Sequence, residues 1–201
     1  RAPRKSTDGT LGEELSVWLQ LKLFSDVGLV GLPNAGKSTF LSVVSSAKPK
    51  IADYPFTTLK PQLGVAYLGN QDLVIADIPG LIQGASQGQG LGDRFLRHIE
   101  RCQIIFHLID ISNSEPIRDY FTIRKEMESY SDLLLAKKEI IIFTKTDLVS
   151  DKVVKSMISE MSSLLPQSHI LSCSSWTQSN LNEILARAIE FIAQKKLQQI
   201  K

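Results

Sequence analysis

From Phe24 onward the chain alternates short apolar runs with longer stretches in which apolar residues recur every three or four positions. An unbroken or period-two apolar run marks a strand, and a period near 3.6 marks a helix. The pattern predicts strands near 26–30, 63–68, 72–76, 104–109, 139–143 and 169–173. It predicts helices over 37–46, 93–102, 117–136, 151–163 and 179–195. Strands alternating with helices indicate a mostly parallel sheet covered on both faces. Only Gly69-Asn70-Gln71 separates the runs 63–68 and 72–76, which is short enough for an antiparallel hairpin. The expected fold is α/β, a three-layer sandwich on a six-stranded sheet, mostly parallel with one antiparallel edge strand.

The first 23 residues do not fit that rhythm. Residues 1–12 are polar with Gly and Pro, and read as a loop. Residues 15–23 alternate apolar and polar, with Trp18 the exception, and read as a half-buried strand. One strand is not a domain. We therefore expect 1–23 to be the remnant of a preceding domain and 24–201 to be the α/β domain. The chain opens on Arg1 instead of Met, which fits a piece of something longer.

Composition narrows the picture by exclusion. A net charge of +2 over 201 residues does not by itself indicate a nucleic-acid or membrane partner. No apolar run reaches the ~20 residues that span a bilayer, and no secretory leader opens the chain. Cys102 and Cys173 lack metal-ligand spacing and read as free buried thiols of a reducing cytosol.

The chemistry begins after the first predicted strand. Gly31-Leu32-Pro33-Asn34-Ala35-Gly36-Lys37-Ser38, followed by Thr39, has the spacing of a phosphate-binding loop between strand and helix. Its glycines let successive N–H groups turn inward on a polyphosphate. Lys37 would reach the outer phosphates, and the Ser38 hydroxyl would hold Mg²⁺. The fold expectation thereby becomes a P-loop NTPase.

Downstream motifs select among nucleotides. Asp77-Ile78-Pro79-Gly80 closes the strand 72–76, so Asp77 can hold a water of the Mg²⁺ shell and the Gly80 N–H can contact a γ-phosphate. Thr144-Lys145-Thr146-Asp147, with Leu148 after it, closes the strand 139–143 and fits the Asn/Thr-Lys-x-Asp pattern of guanine loops. The Asp147 carboxylate would accept from guanine N1 and its 2-amino group, a donor pair that adenine lacks. Thr144 stands where Asn is more frequent, so weaker bridging between loops is expected there. Ser172-Cys173-Ser174 ends the last strand, where a backbone N–H would meet guanine O6. In Phe56-Thr57-Thr58, Thr58 is the expected switch residue, its hydroxyl on Mg²⁺ and its N–H on the γ-phosphate, with Thr57 as the alternative.

Residues 80–92 hold five glycines in thirteen positions, a loop whose order should change with nucleotide. Leu81 occupies the position of the water-orienting glutamine of Ras-like proteins, so intrinsic hydrolysis should be slow. A monovalent cation near Asn34 is one substitute, because Asn here occurs in potassium-activated GTPases. A plain turn residue explains Asn34 equally well.

The runs 31–39, 50–58, 77–82 and 90–101, the last reading Gly90-Leu91-Gly92-Asp93-Arg94-Phe95-Leu96-Arg97-His98-Ile99-Glu100-Arg101, together resemble the bacterial Obg (CgtA) GTPase family. The resemblance spans about 24–180. It implies an Obg-type G domain, with 10–23 similar to the last strand of the glycine-rich domain that precedes it. It further implies GTP and GDP as ligands, Mg²⁺ and K⁺ as candidate cofactors, and a monomeric cytoplasmic switch. Lys37, Thr58, Gly80 and Asn34 would be its catalytic groups. The partner implied is the large ribosomal subunit or its precursor, with a link to growth and stress control. Two alternatives remain from the residues alone: a nucleotide-responsive binding module in which hydrolysis is incidental, and an ATPase of the same fold.

Overall fold

A strand with no polar face needs cover on both sides, and the run Ile104–Asp110 (β5) is buried at every position. In the computed structural model it lies in the interior of one seven-stranded sheet. The structure describes residues 25–51, 62–77 and 102–199, together with Gly9, Gly12 and residues 14–16. The other strands are Val27–Val30 (β1), Lys50–Ile51 (β2), Gln62–Leu68 (β3), Gln71–Asp77 (β4), Lys138–Thr144 (β6) and His169–Ser172 (β7). Their order is β2-β3-β4-β1-β5-β6-β7. All six expected strands are present, and β3 alone runs against its neighbours. The seventh, β2, pairs antiparallel outside β3, so β3 is not the outermost strand. Two residues carry no readable periodicity, which is why the pattern along the chain missed it.

Helices cover both faces. Alternate residues of β1, β5 and β6 (Val27 and Leu29, Phe106 and Leu108, Ile140 and Ile142) pack with Phe40 and Leu41 of Lys37–Val44 (α1). Ile184, Leu185 and Phe191 of Leu181–Gln199 (α5) join the same layer. The other face of the sheet packs on Ile123 and Met127 of Pro116–Tyr130 (α2), on Leu134 of the single turn Asp132–Leu135 (α3), and on Met161 of Asp151–Leu164 (α4). The period of two along each strand thus divides one apolar run between two cores.

Element ends differ from expectation for local reasons. The helix expected over 117–136 breaks at Ser131, whose backbone is extended and whose hydroxyl accepts from the Leu133 N–H to start α3. The last helix starts at 181 instead of 179, because Ser179 bridges to Ser174 and Asn180 takes a left-handed φ of 60°. The helix expected over 93–102 lies outside the described residues except for its last position, Cys102, which is a bend. So does most of the strand expected over 15–23, and with it the proposed boundary after residue 23. Among the described residues no helix is long and apolar enough to cross a membrane.

The connectivity positions the site. β1 is flanked by β4 on one side and β5 on the other, so the chain reverses its direction of travel across the sheet there. A crevice opens at the carboxyl end of β1 in such sheets, and the phosphate loop leaves from that point.

Candidate nucleotide-binding site

The loop after β1 is built by backbone conformations that few side chains tolerate. Gly31 has φ 147°, and a Cβ there would lie 2.3 Å from the Leu108 carbonyl oxygen of β5. Gly36 has φ 89° and caps α1 with no side chain on the helix N–H groups. Those N–H groups therefore point out of the loop as donors for an anion. Ala35 is buried, Pro33 and Asn34 are exposed, and Asn34 takes a left-handed φ of 63°. Asn tolerates that conformation better than most residues, which accounts for it as a turn residue.

Lys37 turns back along the loop. Its ammonium donates to the carbonyls of Gly31 and Leu32, both at 2.9 Å. Burial pulls its pKa below the ordinary lysine value, and the Asp77 carboxylate opposes that shift. The Ser38 hydroxyl donates to Asp77 Oδ2. Asp77 ends β4 almost fully buried, and its other oxygen, Oδ1, is buried without a hydrogen-bond partner among the described residues. An orphaned carboxylate oxygen beside a hydroxyl fits a hydrated divalent cation. Thr58, with Phe56 and Thr57, lies outside the described residues, as do Ile78, Pro79 and Gly80.

A second loop meets the first. The Thr144 hydroxyl, fully buried at the end of β6, lies 2.8 Å from the Ala35 carbonyl and 3.1 Å from that of Ile109, one proton shared between them. The loops are therefore tied despite the exchange of Asn for Thr. Lys145 takes a left-handed φ of 58°, and its ammonium pairs with Asp110 Oδ2 at 2.5 Å. Burial works to raise the Asp110 pKa, but Lys145 and the Ser112 hydroxyl and N–H outweigh it and hold the carboxyl below its usual range. Asp147 stands in the turn Thr146–Leu148, exposed, with Oδ1 accepting from the Ser174 hydroxyl.

The third loop enters in a different register from the one the sequence suggested. Cys173 is buried; its N–H is spent on the Phe143 carbonyl and its carbonyl accepts from Thr146. The Ser172 carbonyl accepts from the Asn180 side chain. A cavity of about 380 Å³ is lined by Gly36, Thr39, Thr144, Lys145, Asp147, Leu148, Ser175 and Trp176. Ser172 and Cys173 are not among its lining residues, and Ser174 reaches it only by bonding to Asp147. Sequence reasoning passed over Asp110 and Ser175. Asp110 carried one signal, an acidic residue closing a strand that is apolar apart from His107. Trp176, in the loop after the last strand, lines the cavity and is 85% exposed.

With this geometry in view, comparison with known proteins is direct. Residues 26–145 match the family described as 50S ribosome-binding GTPase. The chain is 57% identical over 187 residues to GTPase Obg of Orientia tsutsugamushi (strain Boryong), covering 93% of this chain and 56% of that protein. It is 55% identical over 192 residues to GTPase Obg of Rickettsia felis, covering 96% of this chain and 58% of that one. The chain thus spans a little over half the length of these relatives. Among solved structures, the G domain of the T. maritima FeoB iron transporter superposes with a TM-score of 0.63 at 20% identity, over 83% of this chain and 97% of that one. Aquifex aeolicus Era bound to GDP.AlF4- superposes at 0.64 and 24%, over 82% of this chain and 56% of that one. At those identities the likeness is one of fold.

Proposed function

The chain belongs to the 50S ribosome-binding GTPase family, and from that premise we propose that it is a slow, Mg²⁺-dependent GTPase switch of Obg type. One observation carries the proposal: a single cavity joins Gly36 and Thr39 of the phosphate loop to Lys145 and Asp147 of the base loop. The N–H groups of 31–38 and the Lys37 ammonium hold the phosphates. Ser38, and Asp77 through a water, would hold Mg²⁺, which would supply positive charge to the bound polyphosphate.

Asp147 selects guanine by accepting from N1 and the 2-amino group, and the Lys145 stem lies along the base. Ser175 is the better candidate for the N–H donor to guanine O6, since the Cys173 N–H is already used within the sheet. Thr58 and Gly80 are the proposed γ-phosphate sensors, with Phe56, Thr57, Ile78 and Pro79 beside them. Leu81 offers no group to orient water, so the protein relies on electrostatic stabilisation of the transferring phosphoryl group. K⁺ held near Asn34 is the proposed supplement.

The partner proposed is the large ribosomal subunit or its precursor, met in the cytoplasm, with the nucleotide state setting affinity during assembly and linking it to growth and stress. The family's description supports that partner. Single-turnover hydrolysis of GTP tests the activity. The expected result is slow phosphate release that requires Mg²⁺ and rises when K⁺ replaces Na⁺. Hydrolysis of ATP at an equal rate would overturn the proposal. Leu81 also favours a second reading, in which occupancy and not turnover is the signal. Ribosomal-particle affinity that is the same with GDP and with a non-hydrolysable GTP analogue would rule out both switch readings.

A further inference from the structure

Trp176 is 85% exposed and Leu148 63% exposed, yet both line the cavity that holds Asp147. A lone exposed aromatic needs no explanation, but this one is held in place by a closed loop. Ser174 and Ser179 form a bridge, the Ser179 N–H donates to the Ser174 carbonyl at 3.1 Å, and the Ser174 N–H donates to the Ser179 hydroxyl at 3.3 Å. The Thr177 N–H donates to the Ser174 hydroxyl at 3.1 Å. That same hydroxyl donates to Asp147. The indole and the carboxylate assigned to guanine are therefore mounted on one serine, and Trp176 sits at the tip of a turn whose closure fixes it.

We propose that the Trp176 indole stacks on the base of the bound guanine nucleotide and acts as a positioning residue that slows its release. This rests on the guanine-site reading above. A purine ring presents a broad π face, and the indole presents a matching one with only two rotatable bonds to order. The exposed indole would gain burial when a base stacks on it. Its contribution thus falls on nucleosides and not on phosphates.

The chain has two tryptophans, Trp18 and Trp176, so a Trp18→Phe background leaves Trp176 as the only indole reporter. Titration with GDP in that background is expected to change Trp176 emission, while pyrophosphate leaves it unchanged. Trp176→Ala is expected to raise the GDP Kd by roughly tenfold, chiefly through faster dissociation, and Trp176→Phe to recover most of the loss. The melting temperature without nucleotide should stay at the wild-type value, since the side chain is exposed. Wild-type GDP affinity in Trp176→Ala, with no emission change, would overturn this inference while leaving the guanine site standing. An equal loss of pyrophosphate affinity would also overturn it, because the residue would then act on the loop and not on the base. Failure of the unsubstituted chain to prefer GDP over ADP would instead overturn the guanine reading, and this inference with it.

Discussion

Asp110 closes β5 with a carboxylate that burial alone would push toward its neutral form. The Lys145 ammonium and the Ser112 donors keep it charged, and the charge in return holds Lys145 in place. Lys145 needs that hold, because a non-glycine residue in the left-handed region costs about 1 kcal/mol or more. The same contact orients the stem along which the base would lie. Asp110→Asn keeps the shape and removes the charge. It is expected to weaken GDP binding by roughly tenfold, the equivalent of about 1.4 kcal/mol. Isothermal titration of the variant checks this; unchanged affinity would mean that Lys145 needs no partner. The sign with pH follows from the lowered Asp110 pKa. The ion pair is intact above the ordinary carboxyl value of 3.8 and is lost as pH falls through the lower folded value.

At the scale of the element, α2 is tied to the sheet by a polar group inside an apolar layer. Glu139 of β6 accepts from or pairs with His107 Nδ1 at 2.7 Å, the Tyr120 hydroxyl at 3.2 Å and Arg124 at 3.2 Å. His107 is 1% and Glu139 11% exposed. The His107 and Tyr120 rings lie 4.8 Å apart. Burial works to raise the Glu139 pKa, but His107 and Arg124 outweigh it and hold the carboxyl below its usual value. One carboxylate therefore fixes β5, β6 and α2 relative to one another. Glu139→Ala leaves the other three without their acceptor and is expected to lower unfolding free energy by about 3 kcal/mol near neutral pH. Chemical denaturation from pH 7 downward reads the result. The wild-type advantage should persist above the ordinary Glu value of 4.5 and shrink as pH falls through the lower folded value. An advantage that does not change with pH would show that the charge contributes nothing.

Across the whole molecule, what could be read from the sequence was what backbone chemistry constrains. The phosphate loop was legible because its two glycines answer specific demands, a 2.3 Å approach to Leu108 at Gly31 and a positive φ at Gly36. The layers were legible because β1, β5 and β6 carry largely apolar runs. Which serine of the last loop meets Asp147 could not be read from the sequence, for a physical reason. Ser172, Ser174 and Ser175 are chemically alike, and the one that meets Asp147 is decided by pairing of Phe143 with Ser172 across β6 and β7, a tertiary fact. The Glu139 group was invisible because its other members lie 15 to 32 residues from Glu139 along the chain. The central claim is that the two loops, joined through Thr144 and Ala35, form one guanine nucleotide site. Displacement of a fluorescent GDP analogue by unlabelled GDP, GTP and ATP in Mg²⁺ tests it most directly. The account predicts displacement by GDP and GTP but not by ATP at equal concentration, with the preference lost in Asp147→Ala; displacement by ATP as effective as by GTP would contradict it.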